Sequence, residues 1–413
     1  MSGGRRVRSL WTQIRICSSL RLTGLHWGSA GLMEGAVMDF DLDETQAELK
    51  KLAAGLFGRE AGHDRLVDHE KSGRPYDAAL WAAVARAGLI GVCLPEEAGG
   101  AGLGAVEMAV ILREAGARVI PVPLQDGLVA AMVIGRYGSA GQRAMLARLG
   151  EGEIVLTSAP LEPGRDLGAP PGTTARRTGE GGPGGAETGD AAGDGGGWVL
   201  SGSKTMVSYA AESAAIVVPA STPQGVGLFL VRPEAATLRP VPAATGEPVS
   251  ALILDGTPAE PLGEPDGRAF ATLRLLTLVA LTASASGVLA GALELTTQYI
   301  KTRKQFDRAL AEFQAVTMQI ADVYIAGRAL DVAVWSGAWR VDQGLDDAEL
   351  DLAVAAHTVT DAALAALYTC QHLHGGIGLD ITYPLHRYFA WGKHRAHLLG
   401  GVEARLDTMG ALV

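Results

Sequence analysis

In the segment FDLDETQAELKKLAAGLFGRE, which begins at Phe40, apolar residues recur at helical spacing, and Asp43 or Thr45 stands where a helix cap belongs. The same spacing predicts helices over 77–87 and 105–114. Between them, GLIGVCLPEEAGGAGLG runs from an apolar stretch through Pro95 into a glycine-rich corner. Gly99, Gly100 and Gly102 are read as a backbone turn that needs positive φ. No strand-loop-helix unit with a Lys or Ser/Thr follows, as a phosphate loop would require. After Gly152 the period changes. EIVLTSAP, WVLSGSKTMVS, AAIVVPAS, GVGLFLVRP and SALILDG are β-branched runs punctuated by Gly and Pro, and they predict strands. From about Gly263 the helical period returns, with helices to Lys301, over 313–342, over 348–372 and from near Pro384. Four such helices predict an up-and-down bundle. The expected fold is α+β: an N-terminal helical domain (38–151), a middle β-barrel or sandwich (152–262) and a C-terminal four-helix bundle (263–413).

Two stretches lie outside this pattern. Residues 1–37 are rich in arginine, and they read either as a transit peptide or as a misassigned start ahead of Met33 or Met38, the preferred reading, with the tail expected to be disordered. Residues 183–197, PGGAETGDAAGDGGG, are low in complexity and carry too little apolar surface to order themselves. Their flanks make them an overgrown hairpin tip.

Composition narrows the class. The 413 residues, 48% of them hydrophobic, have room for two or three domains and a large core. A net charge of −10 without a basic groove argues against nucleic acid as a partner. Cys17, Cys93 and Cys370 lie too far apart for a disulfide framework or a metal cluster, which points to a reducing cytoplasm. The longest uncharged run, 275–293, contains Thr277, Thr282, Ser284, Ser286, Gly287 and Gly291; it is expected to be a helix buried among helices, not a membrane span.

Two motifs carry the chemistry. Residues 303–314 read RKQFDRALAEFQ. Arg303 can meet a pyrophosphate with a bidentate fork, Phe306 can lie against a planar ring, and Gln314 can reach an adenine or ribose. The same residues also fit a charged helix end with a buried Phe. Residues 371–384 read QHLHGGIGLDITYP, a polar helix end running into a Gly pair and an aromatic-proline turn.

Together the two stretches resemble the acyl-CoA dehydrogenase family, and the resemblance extends from about residue 38 to the C-terminus. In that family an R-x-x-F…FQ segment of one subunit and a Q-x-x-x-GG-x-G segment of its neighbour hold FAD across a subunit interface. Arg303, Phe306, Phe313, Gln314, Gln371, Gly375, Gly376 and Gly378 fit that pattern. The glycine-rich corner is similar to another family segment, G-x-x-G-x-x-x-P-E-x-x-GG-x-G. The resemblance implies FAD as cofactor, an acyl-CoA substrate, an electron-accepting flavoprotein and a tetramer of homologous subunits. Where the family has Thr-Glu-Pro-Gly, with the hydroxyl at the flavin pyrimidine edge, this chain has Leu161, Glu162, Pro163 and Gly164. In KTMVSY, Ser208 takes the position of the hydroxyl that faces flavin N5; it also fits a solvent-facing strand residue.

Removing a proton α to a thioester needs one base. The family's glutamate after the Y-P pair aligns with Leu399, and its alternative position falls near Thr277 or Leu278. None of these is a carboxylate. Glu403, one turn after Leu399, is the weak candidate for a displaced base, expected on the same helix face; a surface carboxylate favoured by the helix dipole is the competing explanation. Asp380 suits a turn cap better than a base. His372, His374, His386, His394 and His397 lack a Cys or carboxylate triad at zinc-like spacing, so no metal site is expected. No nucleophile elbow is present in the sequence.

The C-terminal YPLHRYFAWGKHRAHLLGG looks similar to the base-lacking subunits of heteromeric actinobacterial acyl-CoA dehydrogenases. The expected function is therefore α,β-desaturation of a sterol or other bulky acyl-CoA, with a base-bearing homologue as partner. The alternatives are an autonomous homotetramer that uses Glu403, and a non-catalytic scaffold.

Overall fold

The computed structural model describes residues 40–178 and 197–413. The expectations for the tail 1–37 and, Gly197 apart, for the hairpin tip 183–197 lie outside those residues.

The chain starts with helices α1 (Glu44–Glu60), α2 (His63–Ser72), α3 (Ala78–Arg86), α4 (Ala105–Gly116), α5 (Leu124–Tyr137), α6 (Ala140–Arg143) and α7 (Met145–Gly150). Asp43, one of the two expected caps, accepts from Gln46 N at 2.9 Å, and Gln46 Oε1 accepts from Asp43 N at 3.1 Å. This reciprocal pair satisfies two backbone donors at the helix start. The glycine corner is a turn, with Gly99 and Gly102 at φ +80° and +67°. At Gly100 an added Cβ would lie 2.1 Å from the Leu94 carbonyl oxygen, so the backbone there closes on itself too tightly for any side chain.

Strands β1 (Leu156–Ser158), β2 (Thr174–Arg177), β3 (Trp198–Ser208), β4 (Ala215–Thr222), β5 (Gly225–Val231), β6 (Thr237–Val241) and β7 (Val249–Leu262) follow. β4 pairs with β2, β2 with β3, β3 with β7, β7 with β5, and β5 again with β4. The ring closes, so of the two expected forms this is the barrel, with β1 added to β4 and β6 to β7. Trp198, Leu200, Ile216, Val218, Phe229 and Leu252 fill it. A bulge in β3 between Lys204 and Val207, with Met206 at φ +54°, shifts the register just before Ser208.

The last part is built on α8 (Arg268–Thr302), a 35-residue helix. It has the length and composition of a membrane span, but 89% of its most apolar window is buried inside the protein, as the small residues along it suggested. α8 passes α4 at two glycines. A Cβ on Gly287 would lie 1.9 Å from Arg113 O, and one on Gly116 would lie 2.2 Å from Ser284 O. Around α8 stand α9 (Gln314–Gln343), α10 (Ala348–Thr358), α11 (Leu364–His374) and α12 (Leu385–Leu398). A single π turn, Val359–Ala363, joins α10 to α11, so the third expected helix is one continuous helical run that reaches His374. Gly400 and Gly401, at φ +87° and +85°, stop α12, and a separate helix α13 (Val402–Leu412) follows. Asp331 on α9, nearly fully buried, receives two hydrogen bonds from Arg113 of α4 (2.8 and 3.0 Å) and one from Ser286 of α8 at 2.5 Å. This triad ties the first domain to the bundle.

Candidate functional site

At its C-terminal end α8 passes into a tight hairpin, strands β8 (Lys304–Gln305) and β9 (Arg308–Ala309). The two turn residues, Phe306 and Asp307, have φ +53° and +63°. That is the hand a two-residue hairpin demands. It puts Phe306 at the tip, 87% exposed, which corrects the alternative that this Phe is buried. Arg303 caps α8 and Gln314 begins α9, both exposed. Arg308 covers the Phe313 ring at 5.1 Å and donates to the Glu312 carbonyl at 3.0 Å, which fixes the hairpin against α9.

The second motif arrives at the same end of the bundle. Tyr299, one turn before Arg303, stacks on His374 with ring centroids 4.4 Å apart, and its hydroxyl donates to the His374 carbonyl at 3.3 Å. His374 Nδ1 donates to Cys370 O at 2.8 Å and Nε2 accepts from Tyr383 Oη at 3.2 Å. Burial lowers its pKa, so the ring is a neutral wedge that holds the Gly375 turn against α8. Within one chain the second motif thus packs beside the residue one turn ahead of the first. Gly375 has φ +64°, the space a Cβ would enter at Gly376 is open, and at Gly378 a Cβ would lie 2.9 Å from Gln371 O. Asp380 accepts from Thr382 N and Oγ1, both at 2.8 Å, in a capped turn.

Among the described residues the side chains of Arg303, Gln314 and Gln371 make no hydrogen bond or ion pair. A guanidinium, two amides, an exposed aromatic and a glycine turn, carried by three helices, are groups of the kind that the pyrophosphate and adenosine half of a flavin dinucleotide takes.

The expected ring end of the same chain is built differently. Leu161 has no hydroxyl to offer. Glu162 accepts from buried Lys204 at 2.6 Å, from Gly172 N at 2.6 Å and from Thr173 N at 2.9 Å. Burial opposes ionisation, but these bonds outweigh it and bring the Glu162 carboxyl down to about 2. Ser208 is buried, not solvent-facing, in the neighbourhood of Asp126, whose pKa burial pushes up to about 6 against the pull of Arg395. Arg395 Nε donates to Ser284 Oγ at 3.3 Å, its Nη1 stands 3.7 Å from Glu247, and its guanidinium covers Trp391 at 4.7 Å. Asp126, Arg395 and Glu247 enclose a void of about 20 Å3. Such a space suits one water molecule. The sequence reading missed this cluster; the available signal was Arg395 four residues before Leu399 on one helix face.

Leu399 is 1% exposed. Glu403, expected on the same face, is exposed on α13 instead, because the two left-handed glycines redirect the chain between them. Thr277 is buried and its hydroxyl donates back to Leu273 O at 2.7 Å.

A closed barrel between two helical units, with the two expected motifs at one end of the bundle, is the arrangement the acyl-CoA dehydrogenase resemblance implies. Residues 43–153 match the acyl-CoA dehydrogenase N-terminal domain and residues 272–411 the C-terminal domain. The acyl-CoA dehydrogenase FadE28 of Mycobacterium tuberculosis (strain ATCC 25618 / H37Rv) is 34% identical over 335 residues, which cover 80% of this chain and 91% of that protein. Among solved structures, the Tcur3481-Tcur3483 steroid ACAD G363A variant superimposes with a TM-score of 0.82 at 39% identity, covering 89% of this chain and 97% of that one. The ChsE4-ChsE5 complex from Mycobacterium tuberculosis gives a TM-score of 0.81 at 29% identity over 91% of this chain and 98% of that one. The chain belongs to the acyl-CoA dehydrogenase family, whose members bind FAD.

Proposed function

We propose that this chain is the base-lacking subunit of a heteromeric acyl-CoA dehydrogenase. It offers its dinucleotide corner to FAD, and the base comes from a homologous partner. Arg303, Phe306, Gln314, Gln371, Gly375 and Gly376 would hold the adenosine pyrophosphate half, and when bound the flavin supplies a hydride acceptor for the substrate β-carbon. One observation carries the reading: the family's base position is a buried Leu399, while the groups that grip the dinucleotide have no partner among the described residues.

The substrate class we infer is a bulky acyl-CoA of the sterol type, from similarity to the steroid protein above. The electron acceptor is a further flavoprotein, and the setting is the cytoplasm. An autonomous homotetramer using Glu403 is the second reading, and the exposure of Glu403 on its own helix weighs against it. A scaffold without cofactor leaves the unpartnered grip unexplained.

Native mass spectrometry, counting FAD on the chain alone and after co-expression with a base-bearing homologue, tests the proposal. The expected result is little or no FAD on the chain alone and FAD-loaded hetero-oligomers with the homologue. A homotetramer with one FAD per chain and turnover of its own would sink it.

A further inference from the structure

His374 closes α11, and the turn that follows it carries Gly375 and Gly376 of the proposed dinucleotide corner. Its ring is only 3% exposed and lies between two tyrosines, with centroids 4.4 Å from Tyr299 of α8 and 5.3 Å from Tyr383. The Nδ1 atom stands 2.8 Å from the Cys370 carbonyl oxygen, which can only accept, so Nδ1 carries the proton. Nε2 is then the bare nitrogen, and it accepts from the Tyr383 hydroxyl at 3.2 Å. One tautomer of the neutral ring satisfies both nitrogens.

A second proton has no place in this setting. It would enter at Nε2, where the Tyr383 hydroxyl donates, and would bury a cation between two phenol rings and a carbonyl. Among the described residues no carboxylate bonds to the ring. Burial keeps the Tyr383 phenol neutral, Asp380 is bonded to Thr382, and His386 Nδ1 bonds to the Tyr383 carbonyl oxygen. A buried charge without a counter-ion is costly, and stacking on Tyr299 offsets only part of that cost. The lowered pKa of His374 has this cause.

We propose that the Gly375 turn is held by a proton-sensitive wedge: protonation of His374 in mild acid undocks the turn from α8 and loosens the dinucleotide grip. The undocking rests on the wedge geometry alone, and the loosened grip rests on the FAD-binding reading above. Linkage fixes the sign. A His whose folded pKa lies below its ordinary 6.5 gives docking strength that is whole above 6.5 and is lost as pH falls below it. A single proton changes the docking equilibrium by at most about tenfold per pH unit. His372, exposed on the same turn of helix, acts with the opposite sign, because an added cation beside a pyrophosphate tightens its binding.

Hydrogen exchange read by mass spectrometry on the full-length chain, corrected for the intrinsic effect of pH on exchange, tests the wedge without any cofactor. Over residues 371–380 the wild type should exchange roughly 5–10-fold faster at about pH 5.5 than at about pH 7.5. His374→Asn keeps a donor for the Cys370 carbonyl and does not titrate, so its exchange there should change less than about twofold. Tyr383→Phe removes the hydroxyl that Nε2 accepts and leaves the stack in place, so the acid response should begin at higher pH. That variant keeps the test decisive if His374→Asn loosens the turn at every pH. FAD release from the proposed hetero-oligomer, followed by flavin fluorescence, should track the same curve. Equal wild-type protection at both pH values, or the same acid response in His374→Asn, would overturn the proposal. So would exchange that responds to pH beside FAD affinity that does not. Exchange that responds to pH with no FAD on any assembly would support the wedge and sink the FAD-binding reading instead.

Discussion

Lys204 is fully buried, and among the described residues its charge is matched by Glu162 alone. Removing one partner of such a pair leaves an uncompensated buried charge, which costs about 3–5 kcal/mol. Glu162→Gln is therefore expected to lower unfolding stability by roughly that amount in urea titrations. Adding Lys204→Met should recover most of it, since a buried apolar side chain leaves nothing unpaired. The pH dependence has a definite sign. A carboxyl whose folded pKa lies at about 2, below its ordinary 4.5, gives stability that is whole above 4.5 and is lost as pH falls toward 2. The wild type should lose melting temperature across that window more steeply than the double variant. A parallel decline in both would remove Glu162 as the source. The same residue explains why this part of the site was only half legible. The Thr-to-Leu change at 161 is visible in sequence, whereas the tie of Glu162 to Lys204, forty-two positions away, becomes visible only when the strands are placed.

Among the elements, the α4–α8 crossing and the Gly375 turn put glycines to opposite uses. Gly287 has the Arg113 carbonyl 1.9 Å from where a methyl would stand, and backbone atoms cannot step aside. Gly287→Ala should destabilise by at least ~2 kcal/mol through overpacking, read as a shifted denaturation midpoint with an unchanged slope. Gly376 has open space there, so Gly376→Ala should leave stability within about 0.5 kcal/mol. Arg303→Ala is expected to behave like Gly376→Ala in unfolding, because its guanidinium has no partner among the described residues. In the hetero-oligomer proposed above it should cost roughly 10–100-fold in FAD affinity, the worth of a charge-assisted bond. Flavin fluorescence on dilution reads this directly. Retention equal to wild type would mean that Arg303 does not touch the pyrophosphate.

For the molecule as a whole, α8 is the axis on which the domains agree. Its small residues let α4 approach closely, its length carries Arg303 to the end of the bundle, and Tyr299 near that end docks His374. The backbone that carries these residues is thus braced by packing, whereas the side chains of Arg303, Gln314 and Gln371 have no partner among the described residues.

The sequence by itself determined what local rules control. Helical spacing, a helix cap at Asp43 or Thr45, the glycine corner, the strand runs and the tight turn at 303–309 each depend on residues a few positions apart, so their physics is complete within a short window. It also determined the absence of a carboxylate at 399, since leucine is leucine in any fold. The tertiary structure alone decided the closure of the strands into a barrel, which requires β5 to meet both β4 and β7. It alone brought Asp126, Glu247 and Arg395 from three domains around one small void. It also separated Glu403 from Leu399, because the direction of a chain after two consecutive left-handed glycines is set by packing, not by helical period.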